Sequence, residues 1–123
     1  MQELYRIPPP LIYDSYAAYS YIPDFDPHEY LAQITTAKEY ELISRIINAE
    51  SGWKVNIKNA TSSASGLGQF IDGTFESQCV VLRGLATSMS QKNDPKIQID
   101  CMVSMIRDGG LSHWDASRHI WGI

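Results

Sequence analysis

The chain has 123 residues and a formal net charge of −4 at pH 7, with 44% hydrophobic and 20% charged residues. This length and composition indicate one globular domain and exclude a disordered chain. No apolar run approaches the roughly 18 residues that a membrane span requires, no secretory signal peptide is visible, and no basic patch indicates a nucleic-acid interface.

The first 25 residues differ in composition from the rest of the chain. Four of the six prolines and five of the seven tyrosines lie in residues 1–25. Consecutive prolines forbid a regular helix and favour an extended course, whereas a free linker is rarely so aromatic. We therefore predict an N-terminal arm, residues 1–25, that packs on a domain formed by residues 26–123. The tyrosines of the arm are Tyr5, Tyr13, Tyr16, Tyr19 and Tyr21.

Two helix starts follow the arm. Asp26-Pro27 combines a capping residue with a proline at the first helical position and predicts a short helix to about Ile34. Thr36-Ala37-Lys38-Glu39 is a capping box. Apolar residues at helical spacing after it predict a helix that runs to about Ser51 and ends at Gly52. Those apolar residues are Leu42, Ile43, Ile46 and Ile47.

The helical pattern stops between residues 52 and 73. The small polar stretch 59–66 predicts a loop or a short irregular β element. A helix should follow from about Thr74 to Arg83 and end at Gly84. Its apolar residues are Phe75, Val80, Val81 and Leu82.

A further helix starts at Asp94-Pro95 by the same rule of a cap followed by proline and ends before Gly109-Gly110. Ser112 and Asp115 indicate a last short helix through Trp121. Trp114 and Trp121 are seven residues apart and would share a face, so we predict that both belong to the core. The apolar face of the preceding helix would consist of Ile97, Cys101, Met102, Met105 and Ile106.

The chain contains two cysteines, Cys79 and Cys101, and three histidines. Their spacing does not match a zinc motif, so no metal site is predicted. The two cysteines form either a disulfide or two buried thiols, and the sequence leaves both alternatives open.

Glu50 is the acidic residue with the most unusual predicted surroundings. It lies at the end of an apolar helix, next to Ile46, Ile47 and Trp53, where desolvation would raise the pKa of its carboxyl. A carboxyl that stays neutral near pH 6 to 7 can act as a general acid. A solvated glutamate at a helix end is the simpler interpretation of the position alone. The negative end of the helix dipole makes this position unfavourable for a carboxylate, which hints at a function.

Two motifs favour the interpretation of Glu50 as a general acid over that of a solvated glutamate. Glu50-Ser51-Gly52-Trp53 is followed by Ala64-Ser65-Gly66-Leu67-Gly68-Gln69-Phe70 and then by Gly73-Thr74-Phe75. Together they resemble the soluble lytic-transglycosylase family of the lysozyme superfamily, whose motifs are Glu-Ser at a helix end and Gly-Leu-x-Gln before an apolar residue. The resemblance covers about residues 36–121.

The resemblance implies a mainly helical α+β lysozyme-like fold, with a small β or irregular element beside a groove for peptidoglycan glycan strands. Glu50 would be the single acid/base that cleaves the MurNAc-GlcNAc β-1,4 bond and leaves a 1,6-anhydromuramic end. No cofactor is implied. The substrate-binding residues would be Ser65, Gly66, Leu67, Gln69 and Phe70.

One motif of the family is missing. Its third motif, Ala-Tyr-Asn near the end of a later helix, places a tyrosine near the acid, but this chain has no tyrosine after Tyr40. At the corresponding helix end the sequence is Met105-Ile106-Arg107-Asp108. One hypothesis is that a tyrosine of the N-terminal arm takes its place.

Three functions remain open at this stage. The first is the lytic transglycosylase, acting as a monomer outside the cytoplasm, in the periplasm, the cell wall or a phage particle. The second is a muramidase that hydrolyses with water, for which Asp72 is the candidate base, although Asp72 is more simply an N-cap. The third is a lysozyme-like wall-binding or structural module, which the acidic charge and the missing motif favour slightly, whereas the presence of Glu50 and Gln69 opposes it because a pure binder needs no acid.

Overall fold

A computed structural model describes residues 25–122 of the chain. Residues 1–24 and residue 123 lie outside this range. The predicted packing of the N-terminal arm, and the hypothesis that one of its tyrosines approaches Glu50, therefore concern residues outside the described range and stay predictions.

The described residues are mainly helical, as predicted. Strand pairing among them consists of two isolated antiparallel bridges, Lys58 with Ser65 and Ser65 with Phe70, which form the small irregular element expected between the helices. In chain order the helical elements are α1 (Pro27–Ile34), α2 (Ala37–Ser51), α3 (Asp72–Thr74), a π-helix (Phe75–Leu82), a 3₁₀ turn (Met89–Gln91), α4 (Pro95–Arg107), a 3₁₀ segment (Leu111–Ser117) and α5 (Arg118–Trp121).

The capping residues position the three longest α-helices. The side chain of Asp26 accepts hydrogen bonds from the first turn of α1, and that of Asp94 does the same for α4. Thr36 and Glu39 form the predicted capping box of α2. Gly52 ends α2 in the left-handed region, at φ 61°, which glycine adopts without steric cost. The predicted starts of all three helices and the predicted end of α2 are confirmed.

The helix predicted over residues 74–83 forms, but with a different winding. After the single α-helical turn of α3, residues Phe75–Leu82 form a π-helix. Each residue of a π-helix turns through a smaller angle than in an α-helix, because its hydrogen bonds join residues five apart. Leu82 therefore leaves the face of Phe75: Phe75 is fully buried, whereas Leu82 is 65% exposed. The predicted apolar face was wrong at Val81 and Leu82, both of which are exposed.

A single core joins α1, α2, α4 and the C-terminal segment, and both tryptophans predicted to be in it are buried. Cys79 of the π-helix forms a disulfide with Cys101 of α4, which decides between the two alternatives that the sequence left open. No helix among residues 25–122 is long and apolar enough to span a membrane.

Two polar contacts tie α4 to the first two helices. The hydroxyl of Tyr30 on α1 donates a hydrogen bond to Asp100, and burial together with this carboxylate raises the pKa of Tyr30 to about 12. Arg107 at the end of α4 binds both carboxylate oxygens of Glu39 on α2, at 2.9 and 2.7 Å. Hydrogen bonds from Arg107 and from the backbone of Thr36 lower the pKa of Glu39 to about 2.

Candidate active site

Glu50 lies in the last turn of α2, and its side chain is half-buried. Ile46 and Ile47, one turn earlier, are fully buried in the core. Burial raises the pKa of the Glu50 carboxyl above its ordinary value, and a hydrogen bond from Ser117 partly offsets this effect. The direction of the pKa shift agrees with the expectation from the apolar neighbours of Glu50 and favours a neutral carboxyl.

The hydrogen bond to Glu50 comes from the C-terminal segment. Ser117 Oγ lies 2.5 Å from Glu50 Oε2, across 67 residues of sequence. The indole N–H of Trp121 donates to Ser117 Oγ at 2.9 Å and to the carbonyl oxygen of Trp114 at 3.1 Å. Ser117 Oγ is also 3.2 Å from that carbonyl oxygen. The indole N–H of Trp121 and the backbone carbonyl of Trp114 therefore both lie within hydrogen-bond distance of the hydroxyl that contacts Glu50.

Ser51 and Trp53 determine the course of the backbone immediately after Glu50. Ser51 is buried, donates to the carbonyl of Ile47 and accepts from the backbone N–H of Trp53, so its side chain bonds to the backbone at the helix end. Trp53 adopts a positive φ of 67°, which is uncommon for a bulky residue. Its ring stacks on His28 of α1, with the ring centroids 3.7 Å apart. It packs against the core and is partly exposed.

Gln98 of α4 holds the loop that carries the second motif. Its buried side-chain amide accepts from the backbone N–H of Gly68 at 2.8 Å and donates to the carbonyls of Ser65 and Lys92, at 3.1 and 2.7 Å. A side chain on Gly66 would meet Gln98, because an ideal Cβ there lies 2.2 Å from Nε2. Gly66 therefore allows close contact between loop and helix.

The five predicted binding residues differ in their exposure. Ser65 is 2% exposed and its hydroxyl donates to Asn93 Oδ1, so in the structure it braces the loop. Gly66, Leu67 and Phe70 are buried as well. Gln69 is partly exposed, at a positive φ of 51°, and its amide nitrogen donates to the carbonyls of Ile57 and Gly66. Gln69 Oε1 accepts no hydrogen bond from residues 25–122.

A cavity of about 250 Å³ lies beside this loop. It joins the second motif to the C-terminal segment, since Gln69 and Phe70 form one side and His113 and Trp114 the other. Glu50 does not line the cavity, and it is connected to it through Ser117 and Trp114. The full set of lining residues is Gly68, Gln69, Phe70, Ile71, Thr74, His113 and Trp114.

Asp72, the candidate base of the hydrolytic alternative, forms an ion pair with Lys92. Lys92 Nζ lies 2.7 Å from Asp72 Oδ1 and is itself largely buried. The N-cap of α3 is Ile71, so the interpretation of Asp72 as the capping residue was wrong. Within residues 25–122, no group of His, Cys, Asp and Glu side chains is arranged to hold a metal ion.

Sequence reasoning missed Ser117, Gln98 and His113. One signal pointed to Ser117: it is three residues after Trp114 and four before Trp121, so it shares a helical face with two tryptophans that were predicted to be buried. A serine on a core face needs a hydrogen-bond partner. Gln98 had no comparable signal, because a glutamine in a helix is most often solvated.

A comparison with known families identifies one match. The family described as the transglycosylase SLT domain matches residues 31–109, which is well over half of the chain. No curated protein and no solved structure matches the chain.

Proposed function

The chain belongs to the transglycosylase SLT domain family, and on that premise we propose that it cleaves the MurNAc-GlcNAc β-1,4 bond of peptidoglycan with Glu50 as its single acid/base. The family is of the peptidoglycan lytic-transglycosylase type, binds peptidoglycan glycan strands and acts outside the cytoplasm. The proposal adds the residue, the bond and the product.

The observation that carries the proposal is the environment of Glu50. Burial raises the pKa of this carboxyl, so that a larger fraction of it is protonated near neutral pH than of a solvated glutamate. A general acid must carry a proton at the working pH and must release it to the leaving group. Glu50 also occupies the Glu-Ser position that the family resemblance assigns to the acid.

The proposed reaction uses one carboxyl twice. Glu50 first donates its proton to the glycosidic oxygen, and the bond between this oxygen and C1 of the muramic residue breaks. The N-acetyl group of the substrate stabilises the cation that develops at C1, so no second carboxylate is required, unlike in most glycosidases. The Glu50 carboxylate then accepts the proton of the C6 hydroxyl, whose oxygen bonds to C1 to give the 1,6-anhydro product.

We place the glycan along the side of the domain that carries Gln69 and Phe70. Both residues line the cavity of about 250 Å³. Gln69 Oε1 is a free acceptor among residues 25–122 and can receive a bond from a sugar hydroxyl or amide. Ser65, Gly66 and Leu67 are buried and do not line the cavity, so their proposed contribution is to hold the shape of the loop.

Two further observations concern the compartment in which the protein acts and the muramidase alternative. The disulfide between Cys79 and Cys101 is typical of an oxidising compartment, which supports action outside the cytoplasm. The ion pair between Asp72 and Lys92 opposes the muramidase, because Asp72 Oδ1 is already occupied by the ammonium group of Lys92 at 2.7 Å.

Purified peptidoglycan should be incubated with the protein and with its Glu50→Gln variant, and the released muropeptides analysed by mass spectrometry. We expect anhydro-muramic products whose release falls by about 100-fold or more in the variant, which is the range for loss of a general acid. Gln keeps the shape of the side chain and an acceptor for Ser117. Glu76→Gln, at an exposed glutamate of the π-helix, is the matched control and should retain full activity.

The product distinguishes the alternatives. Reducing muramic ends that also depend on Glu50 would replace the transglycosylase with the muramidase. If neither protein released products while glycan binding persisted, the non-catalytic wall-binding module would replace both.

A further inference from the structure

We propose that Ser117 is a positioning residue for Glu50, supplied by a C-terminal segment (residues 111–122) that lies beyond the range matched by the family. The inference rests on the proposed function, because it assigns a task in the use of Glu50. It starts from two observations: the family match ends at residue 109, and the hydroxyl that contacts Glu50 follows it.

The direction of the hydrogen bond follows from the inventory of donors and acceptors. A serine hydroxyl has one proton and two lone pairs, whereas an indole N–H can only donate. The N–H of Trp121 therefore occupies a lone pair of Ser117 Oγ. The serine proton then has two acceptors within reach, Glu50 Oε2 at 2.5 Å and the carbonyl of Trp114 at 3.2 Å. It goes to Glu50, since this acceptor is the closer of the two.

The hydrogen bond makes the two oxygens of Glu50 unequal. Oε2 is the acceptor of the Ser117 hydroxyl. Oε1 has no hydrogen-bond partner among residues 25–122. In the neutral acid the carbonyl oxygen is the better acceptor, so with Ser117 donating to Oε2 we infer that the proton resides on Oε1. Ser117 thus fixes the carboxyl plane and assigns the transferable proton to Oε1.

This contact occurs in a chain that lacks the tyrosine of the third family motif. At the end of α4, where that tyrosine would lie, Met105 is fully buried and Arg107 binds Glu39 on the surface. A hydroxyl from a different element, Ser117, contacts the acid instead. The same segment also fixes the motif loop, because the indole N–H of Trp114 donates to the carbonyl of Gly68 at 2.9 Å. One short segment thus reaches both the acid and the loop.

The first test measures steady-state kinetics on a soluble peptidoglycan glycan strand. Ser117→Ala should lower kcat by about 10- to 100-fold with little change in KM, because a hydrogen bond to a carboxylate is lost and no substrate contact is. Ser117→Thr keeps the hydroxyl and should restore most of the activity. Ser112→Ala, at an exposed serine of the same 3₁₀ segment, is the matched control and should behave like the unsubstituted protein.

The second test measures the pKa of the Glu50 carboxyl directly and does not depend on enzymatic activity. The pKa of Glu50 can be followed by NMR titration of its side-chain carboxyl carbon. Burial raises this pKa and the Ser117 hydrogen bond lowers it, and charged side chains are not among its causes. Ser117→Ala should therefore raise the pKa further, while Ser117→Thr should leave it near the original value. Trp121→Phe removes the N–H that orients the serine and should shift the pKa in the same direction as Ser117→Ala.

The outcomes separate this inference from the proposed function. An unchanged Glu50 pKa in Ser117→Ala, in a protein whose melting curve shows it folded, would overturn the positioning role. So would a kcat equal to that of Ser112→Ala. If Glu50→Gln kept full activity instead, the proposed function would fail, whereas the Glu50 pKa shift in Ser117→Ala would still report the contact.

Discussion

The loop of residues 64–70 and the carboxyl of Glu50 belong to the same proposed site, yet their surroundings differ. All but one of the loop residues are buried, and the loop backbone bonds to Gln98, to Trp114 and to itself. Glu50 is half-buried and receives one side-chain hydrogen bond from the described residues, that of Ser117. The loop is held by several hydrogen bonds, whereas the carboxyl of Glu50 receives one from the described residues.

This difference indicates a division between stability and chemistry. Buried polar groups with all partners in place specify a single shape, and removing one partner leaves the others unsatisfied. A desolvated carboxyl contributes nothing comparable to folding and stays poised to carry a proton. Changes in the loop should therefore reduce the free energy of unfolding, while changes at Glu50 should reduce activity and leave the fold intact.

Gly66→Ala is the substitution that we expect to destabilise the loop most. The residue has a φ of 82° and its Cβ would lie 2.2 Å from Gln98 Nε2. Strain in the left-handed region adds to overpacking against a buried amide, and together they should lower the free energy of unfolding by about 4 kcal/mol. Urea denaturation followed by circular dichroism measures this loss.

Gly73→Ala is the matched control for that substitution. Nothing lies within 4 Å of its ideal Cβ, and it is in the helical turn of α3. Alanine there should be neutral or stabilise the protein by about 0.5 kcal/mol. Equal effects of the two substitutions would mean that Gln98 does not hold the loop in the way described.

The disulfide joins the π-helix to α4, the helix that carries Gln98, because it links Cys79 to Cys101, three residues after Gln98. It closes a separation of 22 residues, and the loss of chain entropy on that scale corresponds to about 3 kcal/mol. Reduction should lower the midpoint of urea unfolding by the corresponding amount. A Cys79→Ala, Cys101→Ala variant should show a low midpoint that reductant does not change. A midpoint that is insensitive to reductant in the unsubstituted protein would contradict this expectation.

Local signals sufficed for the parts of the fold that are set within one turn. Asp26, Thr36, Gly52 and Asp94 each act on backbone groups a few residues away, so the ends of three helices could be predicted. The winding of residues Phe75–Leu82 could not. Their composition suits an α-helix, and we find no local feature that requires the π-helix.

The sequence singles out Glu50 as the proposed acid, but it does not indicate which residue contacts its carboxyl. Glu50 stands in a motif whose residues are adjacent in sequence, and the apolar residues Ile46 and Ile47, from which a raised pKa was predicted, belong to the same helix. Ser117 approaches it from 67 residues away, and Gln98 reaches Gly68 across 30 residues. Contacts over such separations depend on how the helices pack, which the periodicity of one helix does not specify.

The smallest expected effect is on the pH dependence of protein stability, which changes through the carboxyl of Glu50. Because burial raises the folded-state pKa of Glu50, the folded protein favours the neutral carboxyl more than the unfolded chain does. The stability that this provides is complete below the ordinary pKa of 4.5 and is lost as pH rises through the raised value. Glu50→Gln stays neutral at every pH. The melting temperature of the variant, minus that of the unsubstituted protein, should therefore be greater at pH 7 than at pH 4.

Glu76→Gln controls for the loss of one negative charge, since Glu76 is exposed and makes no side-chain hydrogen bond within residues 25–122. Its melting difference should be nearly the same at both pH values. If the difference for Glu50→Gln were also flat, or fell with rising pH, the carboxyl would be as well solvated as a surface glutamate. The contrast with the loop would then be lost, because the ionised carboxyl of Glu50 would not lower the stability of the folded protein. A rising difference, together with the loss of activity in the same variant, would place both effects on one carboxyl.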